Sequence, residues 1–182
     1  ARTKDQTLKL LNEWSSGAFA NCKNLTTIVF PDGIFAPITK DGVTTVTLPA
    51  GTFYGCSALT SVTLPADLTE IGENAFYGCS ALETLTLPST VTKIGDSAFY
   101  DCTALTTMVL PAKLEEIGSS AFAYCTSLTK IVIPASVKVV GSYAFSGWKK
   151  TQTIYVTFAK DALPEGFNNY WLGYRTYEVK VE

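Results

Sequence analysis

The sequence predicts an α/β solenoid, a β-rich array of stacked coils with a parallel sheet and short α or 3₁₀ turns. Three observations carry this. Phe53, Phe76, Phe99, Phe122 and Phe145 stand 23 residues apart, and self-similarity at a fixed period of about 20 to 50 residues marks stacked repeats. Around each lies the phrase L-x-x-[LIVM]-x-[LI]-P-x-x-[LV]-x-x-[IV]-G-x-x-A-F-x-x-C-x-x, recurring from residues 59, 82, 105 and 128 with partial copies on both sides. Within it the apolar period is two before the proline and helical after the glycine.

The elements follow in order along one coil. Leu82-Glu-Thr-Leu85-Thr-Leu87 puts Leu85 and Leu87 on one face and Thr84 and Thr86 on the other, a strand with one buried side. Pro65, Pro88, Pro111 and Pro134 end these strands, because proline has no N–H for the ladder and a fixed φ. A second extended stretch such as Val91-Thr-Lys-Ile94 buries its first and last residues and halts at Gly72, Gly95, Gly118 or Gly141, read as turn residues. Beyond the glycine, Ala98, Phe99, Cys102 and Leu105 have helical spacing, which predicts one turn of α or 3₁₀ helix with Asp96, Ser119 and Ser142 at its N-cap or first turn. Alignment of coils sets Glu70, Lys93 and Glu116 in one column and Glu115 beside Lys138 in the next. Opposite signs on adjacent rungs favour this register, and Glu115 and Glu116 are read as rungs, not as a catalytic pair. A lone coil buries too little to offset its ordering, so coils must share ladders and apolar faces.

The domain reading is one array over residues 1–182: a cap or partial coil (1–24), two short coils (25–58), four 23-residue coils (59–150) and a cap (151–182). From Leu25 to Leu59 there are 34 residues, and the strand phrase occurs twice, ending at Pro31 and Pro49. Two short coils are preferred there, with Asp32-Gly33 and Asp41-Gly42 as turns. The alternative is a hairpin of residues 34–38 against 43–48 on one oversized coil. Trp14 at the usual Ile position and Trp148 at the usual Cys position are read as plugs on the terminal coils. Residues 151–158 give a last strand and the alternating tail 176–181 a closing strand, while residues 7–14 allow a helical cap.

Composition excludes several functions. Lys and Arg total 14 against 16 Asp and Glu, so no basic surface points to nucleic acid. Apolar runs of four or five residues fall far short of the roughly 20 a bilayer span needs, so no membrane insertion is expected. The opening Ala1-Arg-Thr-Lys-Asp-Gln6 is unlike a secretory signal, which predicts that none existed or that the sequence is a mature or trimmed product. Cys22, Cys56, Cys79, Cys102 and Cys125 each follow a repeat phenylalanine by three residues. Such a row suits neither disulfides nor tetrahedral zinc, and small buried hydrophobes are the reading. With no histidine, a Ser-His-Asp triad, a Cys-His pair and a His-ligated metal are impossible. No P-loop or dinucleotide fingerprint appears. The reading is a non-enzyme with no catalytic residue, metal or cofactor.

Two surfaces are candidates for binding. The solvent face of the leading strands carries Ser61, Thr63, Thr84, Thr86, Thr107, Val109, Lys130, Val132, Thr153 and Tyr155, continued backward by Thr27, Val29, Thr45 and Thr47. It offers a nearly uncharged platform for a protein or glycan, although threonine also suits any exposed strand. Val and Lys interrupt the T-x-T rows too often for ordered-water templating. The other surface is an aromatic edge, Tyr54, Tyr77 and Tyr100, predicted to stack, with Tyr170, Trp171, Tyr174 and Tyr177 clustered near the C-terminal cap.

The phrase L-x-x-L-x-L-P, I-G-x-x-A-F and the following Cys, over residues 8–158, resembles the BspA-like class of leucine-rich repeat. The resemblance implies a leucine-rich repeat solenoid, a curved right-handed horseshoe whose L-x-x-L-x-L strands form the continuous parallel sheet. It also implies a bacterial cell-surface or secreted adhesion protein, extracellular, binding protein or carbohydrate. No catalytic residue carries over from it. A monomer is expected; a structural spacer and a glycan hydrolase are the alternatives.

Overall fold

The computed structural model describes residues 17–158, 164–167, 169–173 and 178–181. Trp14, the cap read over residues 7–14, Tyr174 and Tyr177 lie outside them. The described strands are β1 (Thr27–Val29), β2 (Ile38–Lys40), β3 (Val43–Thr45), β4 (Thr47–Leu48), β5 (Ser61–Thr63), β6 (Glu70–Ile71), β7 (Lys93–Ile94), β8 (Glu116–Ile117), β9 (Lys130–Ile133), β10 (Val139–Val140), β11 (Thr153–Val156), β12 (Gly166–Phe167) and β13 (Glu178–Val181). They wind into a parallel-sheet solenoid of about five turns. Phe53, Phe76, Phe99, Phe122 and Phe145, all fully buried, form one column down its core with ring centroids 5.2 to 5.8 Å apart.

The unbroken sheet lies on the second extended stretch, not on the leading L-x-x-L-x-L strands. There β4, β6, β7, β8, β10 and β12 stack in parallel, and Leu48, Ile71, Ile94, Ile117, Val140 and Phe167 share one register position. On the leading side β1 pairs with β5, and β11 pairs with both β9 and β13, but between β5 and β9 only the single bridge Thr84↔Thr107 forms. The repeat glycine is the physical reason. A Cβ at Gly118 would lie 2.5 Å from Asp96 N, and at Gly72 2.4 Å from Leu48 O, so glycine lets every coil close to ladder distance along that side.

These glycines open the turns that follow, as read, but none has a positive φ, and it is close approach that requires glycine there. The left-handed corners fall two residues later, at Asn74, Ser97, Ser120 and Tyr143 (φ 52° to 59°), and again at Gly78, Asp101, Tyr124 and Gly147. Those corners break the predicted helical turn. Between them backbone N–H groups alternate: Ser97, Phe99 and Asp101 donate to Ser119, Ala121 and Ala123 of the next coil, whereas Ala98, Tyr100 and Cys102 close short turns onto Gly95, Ser97 and Phe99. Half the donors are thus committed to a neighbour, and no helix forms among these residues. Nor is Asp96 an N-cap: its Oδ1 accepts from Ser119 N of the next coil at 2.7 Å.

The charged columns stand as aligned. Lys93 pairs with Glu116 at 3.0 Å and Lys138 with Glu115 at 2.9 Å, while Glu70 accepts from the Thr47 hydroxyl at 3.1 Å.

Residues 25–58 close one oversized coil, not two short ones. Thr27 pairs with Ser61, 34 residues on, and an antiparallel hairpin of β2 and β3 projects between β1 and β4. Asp41 and Gly42 both have positive φ, 52° and 80°, the requirement of a two-residue type I′ turn. The phrase ending at Pro49 divides: Val43–Thr45 belongs to the hairpin, and Thr47–Leu48 to the second sheet opposite Glu70 and Ile71. Thr45 and Thr47 consequently leave the leading face. Toward the C-terminus β11 lies within the predicted last strand, and β13 pairs beside it as the predicted closing strand.

Candidate binding surfaces

The leading strands bring the predicted face together in two columns. One runs through Thr27, Ser61, Thr84, Thr107, Lys130 and Thr153, the other through Val29, Thr63, Thr86, Val109, Val132 and Tyr155. Alternation explains their outward direction, since Val62, Leu85, Met108, Ile131 and Ile154 between them are buried. Ser61, Thr63, Thr84, Thr86, Thr107, Val109 and Lys130 are exposed, and Val132, Thr153 and Tyr155 are half-buried. Val109, at 81% exposure, stands out for an apolar side chain.

Along the leading strands grooves run between coils, two where the ladder is open and one beside the Thr84↔Thr107 bridge. One of about 470 Å³ spans Ser61 to Ser89, a second of about 470 Å³ spans Thr84 to Ala112, and a third of about 450 Å³ spans Thr106 to Thr157. Residues 106–110 and 129–133 share no backbone hydrogen bond. Thr153 N and Thr157 N donate to the carbonyls of Thr129 and Ile133. Parallel alternation then turns the peptide groups of Lys130 and Val132 toward the third groove. Lys130 is the sole ionisable side chain lining these grooves. Sequence reasoning missed Met108, buried at the groove floor, and the small residues Ala66, Ser89 and Ala112, which form groove walls. The last three each follow the repeat proline, and that recurrence was the available signal.

The aromatic edge also assembles. Tyr54 stacks on Tyr77 at 4.8 Å and 13°, and Tyr77 on Tyr100 at 4.6 Å and 2°. Tyr124 extends the column tilted by 56°, because Ala123, buried, takes the expected tyrosine position. Burial, and after it the neighbouring Tyr77 and Tyr124, raises the Tyr100 phenol above its ordinary pKa. At the C-terminal end Trp171 is buried against Phe145 and Phe167, whereas Tyr170 is 55% exposed and stacks over Tyr143.

Burial quiets most of the cysteine row. Cys56, Cys79, Cys102 and Cys125 are buried free thiols, and Cys22 is exposed. Burial pushes Cys79 and Cys125 up to about 12 and Cys102 well above its ordinary value, so thiolates are suppressed. Among the described residues no cluster of three or more metal-ligating side chains occurs, and no helix there is long and apolar enough to cross a membrane.

With this geometry in place, the match to a family model is decisive: six copies of the BspA type leucine rich repeat region cover residues 5–40 and 43–165. The chain belongs to the BspA-type leucine-rich repeat family. A leucine rich repeat protein of T. pallidum, solved by crystallography, is 34% identical over 72% of this chain and 58% of its own, with a TM-score of 0.62. A leucine-rich repeat protein from Bacteroides ovatus is 19% identical over 91% of this chain and 54% of its own, with a TM-score of 0.52, a likeness of fold alone. This BspA-type chain therefore spans little more than half the length of either relative. No curated protein sequence matches it. Membership supports a repeat-built binding or scaffold module, the general role of such arrays.

Proposed function

We propose that this BspA-type chain is a non-catalytic recognition module, displayed on a bacterial surface or secreted, that adheres to a protein or carbohydrate through the face of its leading strands. The observation that carries this is the coincidence of exposed side chains with open grooves on one face: Ser61, Thr84, Thr107 and Val109 stand beside gaps in the ladder. A spacer has no need of such gaps. Hydroxyls there can donate and accept hydrogen bonds, groove floors offer apolar contact, and Lys130 supplies one cation.

The test is an array of glycans and matrix proteins probed with the purified chain. A hit should lose at least about tenfold in affinity when Thr84, Thr86, Thr107 and Lys130 are replaced together by alanine. All four are exposed, so the fold should survive. Hits indifferent to that replacement would make the face inert and favour the spacer. Turnover of an array member that stops on carboxylate substitution would favour the hydrolase.

A further inference from the structure

We infer that the ligand of the open face is a neutral, linear β-1,4-linked glycan lying along the stacking axis, one sugar ring to each coil. The inference rests on the recognition reading above and names its ligand class. The repeat distance is its foundation. Stacked rings of successive coils lie 4.6 to 4.8 Å apart in the tyrosine column and 5.2 to 5.3 Å apart in the middle of the phenylalanine column, so one coil adds about 5 Å along the axis, near the spacing of paired strands. The three grooves adjoin one another at that step, each shared by consecutive leading strands. An extended peptide returns a side chain to the same side only every second residue, about 6.6 to 6.8 Å. Laid along the axis, it slips out of phase with the grooves within two steps. In an extended β-1,4-linked chain each pyranose advances by one ring and one bridging oxygen, close to one coil; alternate rings are turned over, so the same ring face returns after two coils and the chain stays in phase with the grooves.

Charge and chemistry agree with the distance. The first two grooves have no ionisable side chain in their linings, and the third has only Lys130 at its rim. A neutral ligand leaves no charge stranded there, whereas a charged segment would be desolvated without a partner. Ser61, Thr84 and Thr107 form one hydroxyl row, and Thr63 and Thr86 begin a second. Each hydroxyl both donates and accepts, as sugar hydroxyls require. Val109 offers an apolar contact for the C–H face of a ring. The tyrosine column is no substitute platform, because its rings cover one another's faces.

Titration calorimetry with β-1,4-linked gluco-oligosaccharides, from the disaccharide to the hexasaccharide, tests the inference. Affinity should rise with each added ring while new grooves fill and then level off. The double substitution Thr84→Arg, Thr107→Arg should lower it at least about tenfold, and Tyr77→Ala should leave it unchanged. Thermal melting of each variant confirms that it is folded. Absence of saturable binding at every length, affinity indifferent to length, or affinity indifferent to the Thr84 and Thr107 pair would overturn the glycan assignment. Should a protein from the array bind and be lost on that same pair while no oligosaccharide binds, the recognition face stands and the glycan falls. Should no ligand of either kind depend on the pair, both fall.

Discussion

Each buried thiol has a task that packing alone would not require. Cys79 Sγ donates to the Phe53 carbonyl at 3.2 Å, Cys102 to Phe76 at 3.2 Å and Cys125 to Phe99 at 3.1 Å, one coil back each time. At the same position Trp148, almost fully buried, donates from Nε1 to Phe122 O at 2.8 Å. The tryptophan packs edge-on against Phe145 and preserves the hydrogen bond of the cysteine it replaces. Raised thiol pKa values have a definite consequence for stability. An unfolded thiol ionises near 9, whereas folded Cys79 and Cys125 keep their protons until about 12. Above about pH 9 the unfolded chain binds fewer protons, so stability is full below that pH and falls as pH rises toward about 12. Each thiol contributes a loss of up to about 1.4 kcal/mol per pH unit. Urea unfolding midpoints measured from pH 8 upward should therefore decline, and less steeply in Cys79→Ala than in the parent. Equal slopes in the two proteins would refute the assignment.

At the scale of elements, the hairpin and the solenoid obey different rules. Ile38 and Val43 are each 63% exposed, and no residue of β2 or β3 is buried; Ile34 and Phe35 anchor its base in the core. A two-stranded ribbon without a buried face is marginal, so it should open locally without unfolding the array. Replacing Gly42, at φ 80°, with valine should abolish protection of the hairpin amides in hydrogen exchange. It should change global stability by no more than about 0.5 kcal/mol. A global loss several times larger would mean that the ribbon is integral to the core. Asp41-Gly42 was a legible turn signal. What misled was V-T-T-V-T-L-P, which has the composition of a leading strand but is shared between hairpin and second sheet, a division made by pairing partners remote in the chain. The repeat glycine misled similarly: its need for space arises from a backbone 23 residues away, invisible to local rules of turn formation.

For the whole molecule, the phenylalanine column sets how coils cooperate. Phe99 is fully buried and stacks on Phe76 at 5.2 Å and on Phe122 at 5.3 Å, near the middle of the array. In a stack where each coil touches only its neighbours, stability is approximately a sum of unit and interface terms. Phe99→Ala weakens two interfaces at once and should cost about 3 to 5 kcal/mol. Urea unfolding followed by tyrosine and tryptophan fluorescence should become broader as the two sides uncouple. A loss below about 1 kcal/mol with an unchanged transition would show that the column is not what joins the coils.

By itself the sequence determined the 23-residue period, the buried and exposed side of the leading strands in the regular coils, the charged rungs, the stacked tyrosines and the closing strand. Each of these depends on spacing within a coil or on one offset repeated between coils, and both are written in the chain. Tertiary structure alone decided which stretch carries the continuous sheet, where the leading ladder opens into grooves, and what the glycines and thiols meet. Those outcomes depend on how closely neighbouring backbones approach on each side of the core. That distance is set by all the side chains packed between them, and no single repeat position contains it.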